Sequence, residues 1–222
     1  MKLSNVLELC DSEKDFFNMT LRESYEKGFL PWFESFKKGE VRLKDNLSGM
    51  IENGLSEEEA FYILFYTGGG SSWINSELRN GEYTLSRCKK VVMEKLDFAL
   101  SKVKSFDGEK TFRMDFPNND EKDELDWFES KINSKIFIPY YLSTAKEDYE
   151  NSEIVWEINT LPNTSSGKDI SNLTNNKYEL EVLFKRGTTF EIAGIDRSRN
   201  YIFLNEYNGS FDLVLAGRYL DE

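Results

Sequence analysis

The hydrophobic period of this chain changes at Gly108, and no other feature constrains its fold as strongly. Upstream, apolar residues recur at spacings of three and four, the period of a helix buried on one face. Downstream they alternate or form short blocks bounded by turn residues, the pattern of strands. Ser56-Glu57-Glu58-Glu59 opens Ala60 to Tyr66 as a capping box, in which Ser56 serves backbone amides and Glu59 reaches back. Gly68-Gly69-Gly70 is expected to end that helix in a turn, because Ser71-Ser72-Trp73 follows in place of the Gly-Lys-Ser/Thr of a phosphate loop. A longer helix is expected from Thr84, with Leu85, Cys88, Val92, Leu96 and Ala99 on its core stripe.

Strands are expected at Thr111 to Asp115, Lys135 to Ser143, Glu153 to Ile158, Tyr178 to Phe184, Thr188 to Ile192, Tyr201 to Glu206 and Asp212 to Ala216. Asp120 to Ile132 reads as an acidic helix, and Asn159 to Lys177 as a long loop rich in Asn, Thr, Ser and Gly. Helices followed by strands define an α+β domain. The apolar positions Val6, Leu7, Phe16, Phe17, Leu21, Phe29, Trp32, Phe33 and Phe36 add an N-terminal helical segment, residues 1–45, packed on the core of a domain spanning 46–222.

Seventeen Phe and eleven Tyr supply ample material for a core, so one sizeable folded unit is expected. A net charge of -12 argues against nucleic acid as a partner, since phosphate contact needs clustered Lys and Arg. The absence of His removes Ser-His-Asp and Cys-His catalysis and imidazole metal ligands, which leaves acid-base work to carboxylates. Two cysteines, Cys10 and Cys88, indicate no disulfide framework. The opening residues run into acids without a leader-like apolar core, and no stretch has membrane-spanning length. A soluble chain, cytoplasmic as made and without membrane insertion, is expected.

Three short motifs carry the chemistry. Thr111-Phe112-Arg113-Met114-Asp115 places an arginine on a strand, and Tyr140-Tyr141-Leu142-Ser143-Thr144-Ala145 ends an apolar strand in two hydroxyls. Tyr178-Glu179-Leu180-Glu181 heads the apolar run Val182-Leu183-Phe184. On a continuous strand Glu179 and Glu181 would share a face roughly 7 Å apart. Two acids so placed call for a cation, a hydroxyl or a ligand. A bland alternative makes Arg113 a surface residue, Ser143 and Thr144 a strand end, and the glutamates a solvated edge. It fits Glu181 poorly, because Leu180, Val182, Leu183 and Phe184 leave little polar face.

In this order, aromatic-Arg, Ser-Thr and Glu-x-Glu, the chain resembles the mono-ADP-ribosyltransferases of the Arg-Ser-Glu class, which include bacterial toxins and vertebrate ecto-enzymes. Trp73-Ile74-Asn75-Ser76-Glu77-Leu78-Arg79 after Tyr66 is similar to the family's second helix. Ser166-Gly167-Lys168-Asp169-Ile170-Ser171 is similar to the segment before its glutamates, and Glu181 to Ile192 to a hairpin turning on a glycine. The likeness covers roughly Ser56 to Ile192. It implies two small sheets packed across each other, with NAD as co-substrate and no metal.

By the same resemblance Arg113 would hold the phosphate and ribose on the nicotinamide side, and Met114, where the family commonly has Gly, would offer backbone groups to the nicotinamide amide. Ser143 would hold Glu181 by a hydrogen bond, and Thr144 would brace the strand. The third hydroxyl of the family's Ser-Thr-Ser is replaced by Ala145. Glu181 would accept the ribose 2′-hydroxyl and stabilise the developing cation. Glu179 would orient the attacking group, and its identity as Glu points to arginine as acceptor. Tyr178 would meet the target protein, with an ordinary strand aromatic as its equal alternative. Asn75 and Arg79 read as structural polar contacts, with Arg79 in reach of a phosphate. The implied activity is transfer of ADP-ribose to an arginine of a target protein by a bacterial or phage effector, with an immunity or antitoxin protein as a further partner. NAD glycohydrolysis and a catalytically silent binding module stand as the alternatives.

Overall fold

The computed structural model describes residues 47–79, 87–115, 121–148, 154–174 and 177–215. The helical segment expected over residues 1–45 and the start expected at Thr84 lie outside them. The chain divides into two units, one of Met1–Glu77, Tyr83–Val103 and Leu173–Asn175, the other of Leu78–Glu82, Lys104–Asn172 and Asn176–Glu222.

In the first unit a short helix α1 (Leu47–Glu52) precedes α2 (Glu57–Phe65), which starts at the expected capping box. Ser56 Oγ accepts from the Glu59 amide, and Glu59 accepts from the Ser56 amide at 2.8 Å. The same Glu59 carboxylate takes Lys102 Nζ at 2.6 Å, so one side chain caps α2 and ties it to α4 (Arg87–Lys102). Val92, Leu96 and Ala99 of α4 are fully buried, as the stripe requires, together with Ala60 and Ile63 of α2. The glycine triplet is not a turn. Tyr66–Gly70 continues from α2 as a wider π-helical segment into α3 (Ser71–Arg79), because Gly70 can lie where a side chain could not. A Cβ on Gly70 would come within 2.6 Å of the Phe65 carbonyl oxygen. Asn75 is buried and donates to the Tyr66 hydroxyl at 3.0 Å, a structural contact as expected.

Among the described residues the second unit holds nine strands: β1 (Lys110–Asp115), β2 (Lys135–Ile138), β3 (Leu142–Ala145), β4 (Ile154–Asn159), β5 (Gly167–Asp169), β6 (Glu181–Phe184), β7 (Thr188–Asp196), β8 (Tyr201–Tyr207) and β9 (Leu213–Val214). Their hydrogen-bonded order is β5-β6-β3-β1-β4-β8-β7-β2-β9. The resemblance implies two small sheets packed across each other, whereas the described strands form one continuous nine-stranded sheet with a narrow join. The join is narrow: β1 meets β3 through one paired position, Phe112 opposite Ala145, whereas β1 and β4 pair along their whole length. Helix α5 (Glu121–Ser130) falls within the acidic segment that reads as helical and lays Phe128 against Trp156 of β4, ring centroids 5.3 Å apart.

Four expectations about the strands are corrected as well. Lys135 to Ser143 is two strands, because Pro139 has no amide to continue a ladder, and β2 and β3 take places far apart in the sheet. The segment Asn159 to Lys177 is not all loop, since β5 lies within it and pairs antiparallel with β6. Glu181 to Ile192 is not a hairpin. The chain does turn at Gly187, φ 81°, but β6 pairs with β3 and β5 while β7 pairs with β2 and β8. The strand expected from Tyr178 starts only at Glu181, because Lys177–Glu179 forms a 3-10 turn.

Candidate active site

Strand pairing brings the hydroxyl and the carboxylate together. In the antiparallel ladder between β3 and β6, Ala145 lies opposite Glu181 and Ser143 opposite Leu183, so Ser143 and Glu181 are diagonal neighbours on one face. Ser143 Oγ donates to Glu181 Oε1 at 2.6 Å, the length of a charge-assisted bond. One position along, Thr144 Oγ1 donates to the Val182 carbonyl at 2.7 Å, which fastens the two strands beside the site.

Glu181 is only 5% exposed, with Val182, Leu183 and Phe184 buried behind it. Burial pushes its carboxyl up to about 7, the Ser143 hydroxyl opposes that rise, and the negative charge of Glu179 adds to it. The carboxylate thus titrates near neutrality, held by one directed donor.

Arg113 sits on β1, half-buried. Its Nη1 donates to the backbone carbonyl of Ser143 at 2.9 Å, so the guanidinium and the carboxylate are anchored on the same residue of β3. Arg113 Nε is buried and meets no acceptor among the described residues. Met114, the next residue, is half-buried.

Glu179 and Glu181 do not share a strand face. Tyr178 and Glu179 lie on the 3-10 turn and are exposed, Tyr178 at 92%. Leu180 then takes φ 44°, a left-handed conformation that costs a side-chain-bearing residue about 1–2 kcal/mol. The geometry has a direct cause. The Leu180 carbonyl accepts from the Lys146 amide at 3.1 Å and the Glu181 carbonyl accepts from the Ile170 amide at 3.1 Å, so ladder bonds begin here and the chain must swing from turn to strand within one residue. Arg79 is exposed, with its guanidinium carbon 4.9 Å from the centre of the Tyr140 ring.

Two polar residues outside the motifs shape the approach to β5. Glu206 is buried and accepts from the amides of Leu161 at 3.0 Å and Ser166 at 2.6 Å, pinning both ends of the loop before β5. Alternation along β8 held the signal, for Ile202, Leu204 and Glu206 fall in one inward series. Lys146 reaches Asp169 at 2.7 Å and Ser171 at 2.9 Å, fastening the chain after β3 to the end of β5. This cross-link joins residues distant in sequence and has no local signature.

The family model for the ADP-ribosyltransferase exoenzyme matches residues 38–216, most of the chain, and the chain belongs to that family. The fold is shared with solved bacterial toxins. An ADP-ribosyltransferase from Clostridium botulinum is 22% identical, with a TM-score of 0.60 over 79% of this chain and 95% of that one. Exoenzyme S from Pseudomonas aeruginosa, solved in complex with human 14-3-3 protein beta and bound to carba-NAD, is 18% identical, with a TM-score of 0.60 over 88% of each chain. The ADP-ribosyltransferase Vis, solved in complex with agmatine, is 18% identical, with a TM-score of 0.53 over 69% of this chain and 75% of that one. Comparison with curated protein sequences finds no match. Among the described residues no helix is long and apolar enough to cross a membrane, and no group of three or more His, Cys, Asp or Glu is arranged to hold a metal ion.

Proposed function

We propose that this chain transfers one ADP-ribose unit from NAD to an arginine side chain of a target protein, releasing nicotinamide. The observation that carries the reading is the Ser143 hydrogen bond to the buried Glu181 carboxylate, with Arg113 anchored on the same strand residue. The residues fit the nucleotide. Arg113 Nε is a buried donor that a phosphate or ribose oxygen would satisfy, and a guanidinium presents such donors in a fixed fork. Solved relatives that share the fold carry carba-NAD or agmatine, and agmatine is an arginine analogue.

Glu181 accepts the ribose 2′-hydroxyl and places negative charge beside the anomeric carbon, where positive charge develops as the bond to nicotinamide breaks. The bonding electron pair leaves with the nicotinamide ring nitrogen. Ser143 keeps the carboxylate aimed, Arg113 holds the phosphate and ribose on the nicotinamide side, and Met114 offers backbone groups to the nicotinamide amide. Glu179, out on its turn, accepts hydrogen bonds from the incoming guanidinium. A guanidinium nitrogen then bonds to the anomeric carbon and loses a proton to Glu179 or to solvent. Tyr178 beside it contacts the target. The catalytic domain is taken as residues 46–222, in a protein delivered to its target cell and restrained in the producer by an immunity or antitoxin protein.

The test is nicotinamide release from NAD by the wild type, Glu181→Gln and Glu179→Gln, with and without agmatine. Release that needs Glu181, with ADP-ribosyl-agmatine formed only when Glu179 is present, supports arginine transfer. Release indifferent to agmatine and to Glu179 makes the chain a glycohydrolase. Neither release nor NAD binding leaves a silent binding module.

A further inference from the structure

We infer that Trp156 and Glu124 are positioning residues for Arg113, and that through it they set how tightly the chain holds the anionic side of its nucleotide co-substrate. The inference rests on the reading of the site as an NAD site. Its starting point is the register of β1 and β4, in which Arg113 lies directly opposite Trp156. Paired positions put their side chains side by side on one face of the sheet. The Arg113 guanidinium carbon stands 5.8 Å from the centre of the indole, within the ~6 Å over which a ring face attracts a cation.

Arg113 is therefore held twice. Ser143 takes one N–H of the guanidinium, and the Trp156 ring lies with its centre 5.8 Å from the guanidinium carbon. Nε, buried without an acceptor among the described residues, remains for an incoming oxygen. A guanidinium held by a hydrogen bond and a neighbouring ring has lost much of its rotamer freedom before the nucleotide arrives, so less ordering cost falls on binding.

Trp156 is in turn held by α5. It is 2% exposed, and its Nε1–H donates to Glu124 Oε1 at 3.3 Å. Phe128, one helical turn beyond Glu124, packs its ring edgewise on the indole at 5.3 Å. Glu124 is completely buried. A polar acceptor at position 124 fixes the orientation of the indole as well as its place, which an apolar residue packed on the ring would not do. An oxygen accepting from the indole N–H also polarises the ring and deepens the face that Arg113 meets. In this arrangement Glu124 acts on Trp156, Trp156 on Arg113, and Arg113 on the nucleotide.

The experiment measures NAD binding by calorimetry and nicotinamide release as KM and kcat, for the wild type, Trp156→Phe, Trp156→Leu and Glu124→Gln. Trp156→Leu is measured again in an Arg113→Lys background. The folded fraction of each protein is fixed by circular dichroism at the assay temperature. Loss of the ring in Trp156→Leu should raise the NAD KM about tenfold with kcat little changed, while Trp156→Phe, which keeps a ring face, should stay within about threefold. In the Arg113→Lys background, where no planar group remains to lie on the ring, Trp156→Leu should add less than about twofold. An equal loss in both backgrounds, or a fall in kcat and apparent affinity that follows only the folded fraction, overturns the inference. Should Trp156→Leu fail to fold, the near-isosteric Glu124→Gln decides: a KM raised about threefold supports the chain of contacts, and an unchanged KM overturns it. A wild type that binds no NAD removes the function reading and this inference together. A wild type that binds NAD as tightly as folded Trp156→Leu removes this inference alone.

Discussion

Glu179 and Glu181 are separated by one residue and occupy opposite environments. Glu181 begins a buried strand, accepts one short hydrogen bond and titrates near neutrality. Glu179 stands exposed on a 3-10 turn beside an exposed tyrosine. Leu180, in its left-handed conformation, is the hinge that makes the difference. Under the proposed function the contrast is a division of labour. A carboxylate that must stabilise charge at one fixed atom works best where solvent is excluded and its orientation is set. A carboxylate that must meet the side chain of another protein has to remain within that protein's reach.

The largest expected effect is on Glu181. Glu181→Gln keeps the shape and the Ser143 contact and removes the charge, so nicotinamide release should fall roughly 10³-fold, whereas Glu179→Gln should leave release within about threefold. Equal losses from the two substitutions, measured in the same assay, would erase the division.

Next comes the pH dependence of stability. Folding raises the Glu181 carboxyl from 4.5 to about 7, so the folded chain binds a proton that the unfolded chain has released over that interval. The contribution is intact below the ordinary carboxyl range and is lost as pH rises towards 7. At pH 8 Glu181→Gln should therefore be more stable than the wild type by on the order of 3 kcal/mol, and at pH 5 by under about 1 kcal/mol. Urea melts of both proteins at the two pH values check this. A gap that does not widen with pH would mean that Glu181 ionises in the fold without cost.

Glu179→Gln should then cut formation of ADP-ribosyl-agmatine about 10²-fold while nicotinamide release continues, a separation visible when both products are followed in one reaction. Parallel loss of both products would put Glu179 in bond cleavage. The smallest effect is expected from Ser143→Ala, about tenfold on release. Because the Ser143 hydroxyl opposes the rise of the Glu181 carboxyl, its removal should also move the alkaline-rising limb of the pH-rate profile to higher pH. A profile that stays in place would show that Ser143 does not bond the catalytic form of Glu181.

Sequence and structure agree most closely where a signal is local. The capping box at Ser56, the core stripe of Val92, Leu96 and Ala99, and the strand around Arg113 rest on residues within a turn or two of one another. The pairing of Ser143 with Glu181 was also legible, through the order of three motifs that the family keeps. Errors arose where the partner of a backbone group lay far along the chain. Tyr178 and Glu179 have the alternation of a strand, but a strand exists only where another accepts its ladder, and β3 pairs with this segment only from Glu181 and β5 only from Val182. Gly187 marks a turn correctly without naming the strand that follows it as a partner, and β7 joins β2 instead of β6.

The sequence by itself determined the class of fold, through the change of period at Gly108, and the chemical types at the site: one arginine, one serine and two carboxylates in a chain without histidine. These follow from side-chain chemistry and near-neighbour spacing, which a linear pattern records in full. Only the tertiary structure decided that Glu181 would be buried while Glu179 stayed in water, and that Arg113 would meet the ring of Trp156, itself held by Glu124. Burial and strand register are set by which distant segments pair, and the electrostatic character of a carboxylate or a guanidinium depends on those neighbours more than on its own place in the chain.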